Sequence, residues 1–195
     1  ITLSLNLLSQ SFHIPMIKDS FGRVHDYLRI SLTDACNFRC THSMPDEEMQ
    51  FKASAHLMQV DEIDAMAGMF VRMGVRKIRL TGGEPLVRKE AAEIIRLLSK
   101  YPVELTLTTN GYRAHEFIQV FKDAGIRSVN VSLDTLNPEK FFKITRRDHF
   151  RQVWDNIQLL VREDFHVKVN VVMMKGMNEE EIIDFVEWTK TQPVH

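Results

Sequence analysis

The chain has 195 residues, of which 44% are hydrophobic and 26% are charged, a composition typical of soluble globular proteins. Its formal net charge of -1 excludes a global positive field that would attract nucleic acid or a membrane surface. Two cysteines are too few for a disulfide scaffold, and no uninterrupted apolar run reaches the roughly 18 residues of a membrane-spanning helix.

The two ends of the chain are treated separately from the fold. Residues 1–17 are apolar and contain no acidic residue, and we predict a leader or disordered segment there. A single domain is predicted over residues 18–195. The final residues, TQPVH, follow directly on a helical pattern, so we expect further C-terminal sequence to belong to the same fold.

Strand-like runs rich in Val, Ile, Leu and Thr alternate with segments of helical period. Strands are predicted over 27–32, 76–81, 103–109, 128–134 and 166–174, and helices over 60–74, 88–100, 113–124, 150–163 and 178–190. Asn178, followed by three glutamates, is predicted to cap the last helix. Strands separated by helices predict an α/β fold with a parallel sheet that curls into a barrel or part of one.

In such folds the chemistry lies at the carboxyl ends of the strands, so functional residues are expected just after them. Cys36 follows the first predicted strand, Gly82-Gly83-Glu84-Pro85 the second, residues 108–111 the third and residues 132–134 the fourth. Two glycines allow a backbone edge to approach a ligand closely, and Glu84 adds a carboxylate. The alternative is a tight turn that begins a helix near the proline.

The stretch CNFRCTHSMP, residues 36–45, leaves three interpretations open. An iron–sulfur cluster with one open iron needs three thiolates, but Ser43 stands at the third position, and a hydroxyl is a poor ligand for iron. Alternatively, Cys36, Cys40 and His42 hold zinc with a fourth ligand from elsewhere. The spacing alone favours the third interpretation, in which both thiols are simply buried.

Several motifs, in chain order, resemble one family. DSFGRVHDYLRISLTDACNFRCTHSMP, IRLTGGEPLVR, LTTNG, VNVSLDTLNPEKF and VKVNVVMMKGMNEEEI are similar to the radical S-adenosylmethionine GTP 3′,8-cyclases of molybdenum cofactor biosynthesis. The resemblance implies a partial (β/α)6 TIM-like barrel, truncated here at its C-terminus. It implies that a [4Fe–4S] cluster and S-adenosylmethionine generate a 5′-deoxyadenosyl radical, which abstracts hydrogen from C3′ of GTP. The ribose radical then attacks C8 of guanine, giving (8S)-3′,8-cyclo-7,8-dihydroguanosine 5′-triphosphate.

The resemblance also assigns roles to residues, none of them catalytic in itself. Cys36 and Cys40 match cluster ligands, and Ser43 replaces the third cysteine. The positions that match the S-adenosylmethionine site are His42, Gly82, Gly83, Glu84, Pro85 and Ser132. Those that match the GTP site are Arg29, Arg79, Thr108 and Lys168. A second [4Fe–4S] cluster is expected only in a C-terminal region that lies outside this sequence.

The three cations of the implied GTP site also have a physical argument behind them. Arg29, Arg79 and Lys168 lie within apolar strands, where a charge inside a barrel needs an anion or water, and three cations suit a triphosphate. The alternative is a solvated surface charge, which is the interpretation we give to residues 146–149, with a phosphate facing the pair Arg146-Arg147 as the second option there.

Other functions stay open. They are a catalytically inactive relative that binds S-adenosylmethionine or GTP, a radical S-adenosylmethionine enzyme with another substrate, and a zinc-stabilised domain. The implied partners are GTP, a reductant protein, the next enzyme of the pathway and a second copy of the chain, without nucleic acid or membrane. The implied location is the cytoplasm, or the mitochondrial matrix in a eukaryote.

Overall fold

The computed structural model describes residues 16–44 and 56–195. Within them, one parallel sheet has the strand order β1-β2-β3-β4-β5 and consists of β1 (Tyr27–Ser31), β2 (Lys77–Thr81), β3 (Glu104–Thr109), β4 (Ser128–Ser132) and β5 (His166–Asn170). Because sheet order follows chain order, every connection joins neighbouring strands, as in a β/α barrel. The predicted α/β partial barrel is therefore confirmed, although the sheet does not close on itself among the described residues.

Helices connect the strands. They are α1 (Val60–Arg72), α2 (Ala91–Leu98), α3 (Ala114–Asp123), α4 (Pro138–Thr145), α5 (Phe150–Arg162) and α6 (Ile182–Thr191), with single 3₁₀ turns at Pro85–Val87 and Glu179–Glu181. None of the helices in the two described ranges is long and apolar enough to cross a membrane. Of the predicted leader, residues 1–15 lie outside the described residues, and the backbone carbonyl of Ile17 already accepts a hydrogen bond from His25.

The sequence analysis missed α4. This helix begins at Pro138 behind Asn137, whose side-chain oxygen accepts hydrogen bonds from the backbone N–H groups of Glu139 and Lys140 at 2.9 and 3.1 Å. An asparagine cap followed by proline at the first helical position is an established start signal. The start signal of this helix is therefore present in the sequence itself.

The predicted cap at Asn178 is wrong. Its side chain makes no capping bond, and α6 begins only at Ile182, after a 3₁₀ turn. The side chain is fully buried and instead donates to the backbone carbonyls of Asp134 and Val172, at 2.5 and 2.9 Å. The predicted fifth strand also ends early, at Asn170, because the N–H of Val172 donates to the carboxylate of Asp134.

The two faces of the sheet differ in chemistry. One face buries Ile30, Ile78, Leu80, Leu105, Leu107, Val129, Val131 and Val167 in a core shared with helix residues such as Ile94 and Phe121. The alternating positions carry Arg29, Arg79, Thr106, Thr108, Asn130 and Lys168 on the opposite face. Parallel sheets are usually apolar on both faces, so a polar second face indicates that it lines an interior space for water or ligand.

Candidate functional site

A cavity of about 520 Å³ lies at the carboxyl end of the sheet. The last residue of every strand lines it, namely Ser31, Thr81, Thr109, Ser132 and Asn170. The remaining lining comes from the connections that follow the strands, above all from residues 33–44. This is the edge at which a parallel α/β sheet carries its ligands.

The cysteine-containing loop is held from outside by α4. The backbone N–H groups of Arg39 and Thr41 donate to the carbonyls of Thr145 and Ile144, at 3.0 and 2.9 Å. Phe38, at the centre of the loop, is buried and packs edge-on against Phe141 of α4, with 5.7 Å between ring centroids. The helix that the sequence analysis missed therefore supplies the carbonyl groups that shape this loop.

Both thiols of the loop line the cavity and are largely shielded from solvent. Burial raises the pKa of Cys36, whose Sγ accepts from the N–H of Phe38 at 3.4 Å and faces Nδ2 of Asn110 at 3.9 Å. Burial, with the neighbouring Cys36 and Asp134, raises the pKa of Cys40 to about 12. A metal that binds here must therefore displace a proton from each thiol.

The two glycines of the TGGEP turn bring two backbone segments together. The N–H of Gly83 donates to the carbonyl of Thr33 at 2.7 Å. A Cβ placed on Gly83 would lie 2.4 Å from the carbonyl oxygen of Ala35, and one on Gly82 would lie 2.4 Å from that of Thr33. Both glycines line the cavity, but their missing side chains make room for residues 33–35 and not for a ligand.

Glu84 lies behind the cavity wall, and Pro85 is buried beside it. The Glu84 carboxylate accepts from the hydroxyl of Thr109 at 2.7 Å, from the N–H of Asn110 at 2.6 Å and from the N–H of Leu86 at 3.1 Å. Burial raises its pKa to about 7. The side chain thus braces the ends of β2 and β3 together.

The residues that match a GTP site share the polar face of the sheet. Arg29 on β1 lies in register with Arg79 on β2. Thr108 and Lys168 share a second register row, two residues nearer the carboxyl ends of the strands, with β4 between them. Thr108 lines the cavity, whereas the three cations lie outside its lining. Nε of Arg79 is buried with no hydrogen-bond partner among the described residues, and its guanidinium lies 5.8 Å from the ring centroid of Tyr27.

The sequence model of the Radical SAM superfamily matches residues 30–189 of this chain, most of its length. That range holds the cysteine loop, the TGGEP turn and nearly the whole sheet. The chain belongs to the radical SAM superfamily.

Curated relatives of this radical SAM chain include two GTP 3′,8-cyclases. Identity is 42% over 183 residues with the GTP 3′,8-cyclase of Listeria monocytogenes, covering 92% of this chain and 55% of that protein. It is 46% over 183 residues with the mitochondrial GTP 3′,8-cyclase of Arabidopsis thaliana, covering 92% of this chain and 47% of that protein. The chain thus spans about half the length of these relatives.

A solved structure shares the fold. Streptococcus suis SuiB bound to S-adenosylmethionine superposes with a TM-score of 0.72 at 16% identity, over 84% of this chain and 37% of SuiB. At that identity the likeness concerns the fold alone.

The ligand set of this radical SAM chain departs from a three-thiolate site. Ser43 lines the same cavity as the two cysteines, and its N–H donates to the carbonyl of Cys40 at 3.1 Å within a turn. Two thiols and a hydroxyl do not fit a [4Fe–4S] cluster that is held by three thiolates.

The zinc alternative gains no support from the geometry. Nε2 of His42 lies 3.0 Å from Oδ2 of Asp134, a residue 92 positions away in sequence. Across residues 16–44 and 56–195, no three His, Cys, Asp or Glu side chains come together as a metal site would require.

Three residues at this site were not predicted individually. Asn110 faces the Cys36 thiol, Asp134 joins His42 to the N–H of Val172, and Nε of Arg147 donates to the carbonyl of Asn37 at 3.0 Å. The first two stand directly after strands, a signal that the sequence analysis had marked. Arg147, which was predicted to carry a solvated surface charge, is half-buried, and its guanidinium contacts the cysteine loop across 110 residues of sequence.

Proposed function

We propose that this chain is the barrel portion of a GTP 3′,8-cyclase and that it binds S-adenosylmethionine and GTP on the polar face of its sheet. The observation that carries the proposal is the convergence of both predicted sets of residues. His42, Gly82, Gly83 and Ser132 line the cavity together with Thr108, and Arg29, Arg79 and Lys168 share the polar face with Thr108. The identity with curated GTP 3′,8-cyclases supports the choice of GTP.

Each group of residues has a role under this proposal. Ser132, His42 and the backbone at Gly83 hold S-adenosylmethionine, with Glu84 and Pro85 fixing that backbone from behind. Arg29, Arg79 and Lys168 neutralise the triphosphate of GTP, and Thr108 contributes a hydroxyl. Under this proposal the two ligands lie next to each other.

A second candidate function is a catalytically inactive relative that binds both ligands without turnover. Ser43 is the observation that favours it, because the loop offers two thiols where the cyclase reaction requires a complete cluster site. Under this second candidate, the cyclase reaction is carried out only by a protein whose loop holds a third thiolate. For a complete cyclase we propose four partners and components: a reductant protein, the next enzyme of the pathway, a second copy of the chain and a second cluster. A cytoplasmic or mitochondrial location belongs to the complete cyclase as well.

The test compares the chain with Ser43→Cys and with the matched control Ser43→Ala. After anaerobic reconstitution with iron and sulfide, we would measure iron, sulfide and zinc per chain and the reductive cleavage of S-adenosylmethionine. About four irons in Ser43→Cys alone would support the inactive relative, and about four in the unaltered chain would support the enzyme. One zinc without iron in all three proteins would contradict both.

Binding of GTP is tested separately from cluster assembly. Equilibrium dialysis with GTP should show that Arg79→Ala weakens binding about tenfold or more, since a charge-assisted contact with phosphate is lost. The control is Arg151→Ala, whose side chain is exposed on α5 and pairs with Asp155. Equal weakening in both variants would remove the support for a GTP site on the polar face.

A further inference from the structure

One buried amide on the polar face has no assigned role. Asn130, in the middle of β4, is only 5% exposed, and its Oδ1 has no hydrogen-bond partner among the described residues. Folded proteins satisfy nearly all buried polar atoms, and leaving a buried acceptor unpaired costs free energy. On a face that lines an interior space, a ligand can supply the missing donor.

The neighbours of Asn130 indicate which ligand supplies it. In register, Asn130 lies between Thr108 on β3 and Lys168 on β5, both of which match positions of a GTP site. Ser132, two residues further along the same face of β4, lines the cavity. In the layer below, the hydroxyl of Thr106 already donates to the carbonyl of Ser128 at 2.7 Å and is not available.

We propose that Asn130 determines specificity within the GTP site, its Oδ1 accepting a hydrogen bond from a ribose hydroxyl. This inference rests on the proposed function. Adjacent strands lie roughly 4.8 Å apart, so an oxygen on β4 is one strand from the phosphate-binding cation on β5. Within a nucleotide the ribose is the group next to the phosphates, whereas the donors of the base lie beyond it. A neutral acceptor also suits this place, since a carboxylate would repel the triphosphate.

A matched control exists within the chain. Gln158, on α5, also buries a side-chain atom with no partner among the described residues, its Nε2. It lies in the helical layer and not on the polar face of the sheet. Asn130→Leu and Gln158→Leu therefore both remove an unpaired buried atom, and neither should lower the stability of the free chain. Gln158 leaves a donor unpaired and Asn130 an acceptor, and only Asn130 lies on the face that the proposed ligand would occupy.

The experiment measures the dissociation constants of GTP, 2′-deoxyGTP, 3′-deoxyGTP and ITP by calorimetry. We expect the unaltered chain to bind one of the deoxy analogues about tenfold or more weakly than GTP, because the site then holds an unpaired acceptor. Asn130→Leu should weaken GTP binding by the same factor and remove that preference, and Gln158→Leu should change neither. ITP, which lacks the exocyclic amine, should bind the unaltered chain as well as GTP does.

The outcomes separate this inference from the function on which it rests. If the unaltered chain binds no GTP, the proposed function fails. If it binds GTP but Asn130→Leu binds GTP equally well, or if ITP and not a deoxy analogue loses affinity, the inference is overturned. Should Asn130→Leu not fold, Asn130→Asp decides: it keeps an acceptor, so it should bind every nucleotide more weakly and still prefer GTP. A loss of that preference in Asn130→Asp would overturn the inference.

Discussion

The carboxylate of Glu84 accepts a hydrogen bond from the backbone N–H of Asn110 at 2.6 Å. The side chain of Asn110 in turn donates to Oδ1 of Asn37 at 2.7 Å and faces Sγ of Cys36. A buried acid at the end of β2 is thus linked, through the end of β3, to the first thiol of the cysteine loop. The glutamate of the TGGEP turn organises the site without lining it.

This arrangement predicts how stability depends on pH. Burial raises the pKa of Glu84 from 4.5 to about 7, so between these values the folded chain holds a proton that the unfolded chain has lost. Because the slope of stability with pH follows the protons bound in the unfolded minus the folded state, this group lowers stability as pH rises through that window. The total is about 3 kcal/mol.

Glu84→Gln should remove that pH dependence. The amide N–H of the glutamine would face groups that themselves donate hydrogen bonds to residue 84. The free energy of unfolding should therefore fall by about 1–3 kcal/mol at acid pH. Urea unfolding at several values between pH 4 and pH 8 measures both effects, and the difference between the two proteins isolates this group from other titrations. Parallel stability curves for the two proteins would contradict the assignment.

The close approach at Gly83 predicts a steric cost. In Gly83→Ala the new Cβ would meet backbone oxygens of Asp34 and Ala35 at 2.5 and 2.4 Å, and backbone cannot move aside as a flexible side chain can. We expect a loss of at least about 3 kcal/mol. The control is Gly125→Ala, where φ is +68° but nothing lies within 4 Å, so only about 1 kcal/mol should be lost. If urea unfolding gave equal losses of stability for the two variants, the backbone of residues 33–35 would have moved to accommodate the new Cβ.

Local patterns were enough to predict the sheet. Runs such as SVNVS alternate apolar and polar residues, and this alternation places Val129 and Val131 in the core and Asn130 on the polar face. The same alternation puts Arg29, Arg79, Thr108 and Lys168 on one face of the sheet. Strand ends could be marked as functional because parallel strands bring their carboxyl ends to one edge.

The rest depends on contacts between distant segments. Nothing near Arg147 in sequence indicates that it donates to the carbonyl of Asn37, and nothing near His42 indicates Asp134. Asn178 shows the same limit, since an asparagine before three glutamates is a sound local cap signal. In the folded chain the amide of Asn178 instead donates to the buried carbonyls of Asp134 and Val172, which would otherwise lack a donor among the described residues.

Because its buried side chain makes these hydrogen bonds, Asn178 should contribute substantially to the stability of the fold. Asn178→Ala removes two donated bonds and the one that Oδ1 accepts from the N–H of Met174 at 2.7 Å, leaving buried backbone groups unpaired. We expect the free energy of unfolding to fall by about 2–4 kcal/mol. Asn137→Ala, which removes an exposed helix cap, should cost only about 1 kcal/mol. Thermal unfolding of both variants checks this, and a smaller loss in Asn178→Ala than in Asn137→Ala would contradict it.

The environments of the two thiols predict different reactivities in the metal-free chain. With its pKa raised to about 12, Cys40 is about one part in ten thousand thiolate at pH 8, and the thiolate is the reacting form. Burial raises the pKa of Cys36 as well, but its Sγ accepts from the N–H of Phe38 and faces the amide of Asn110, and these two contacts favour the thiolate against that burial. Iodoacetamide in the presence of a chelator should therefore alkylate Cys36 faster than Cys40, as followed by peptide mass spectrometry. In urea the two rates should become equal. Asn110→Ala should slow Cys36 alone, and a change at both cysteines would mean that the loop itself has moved.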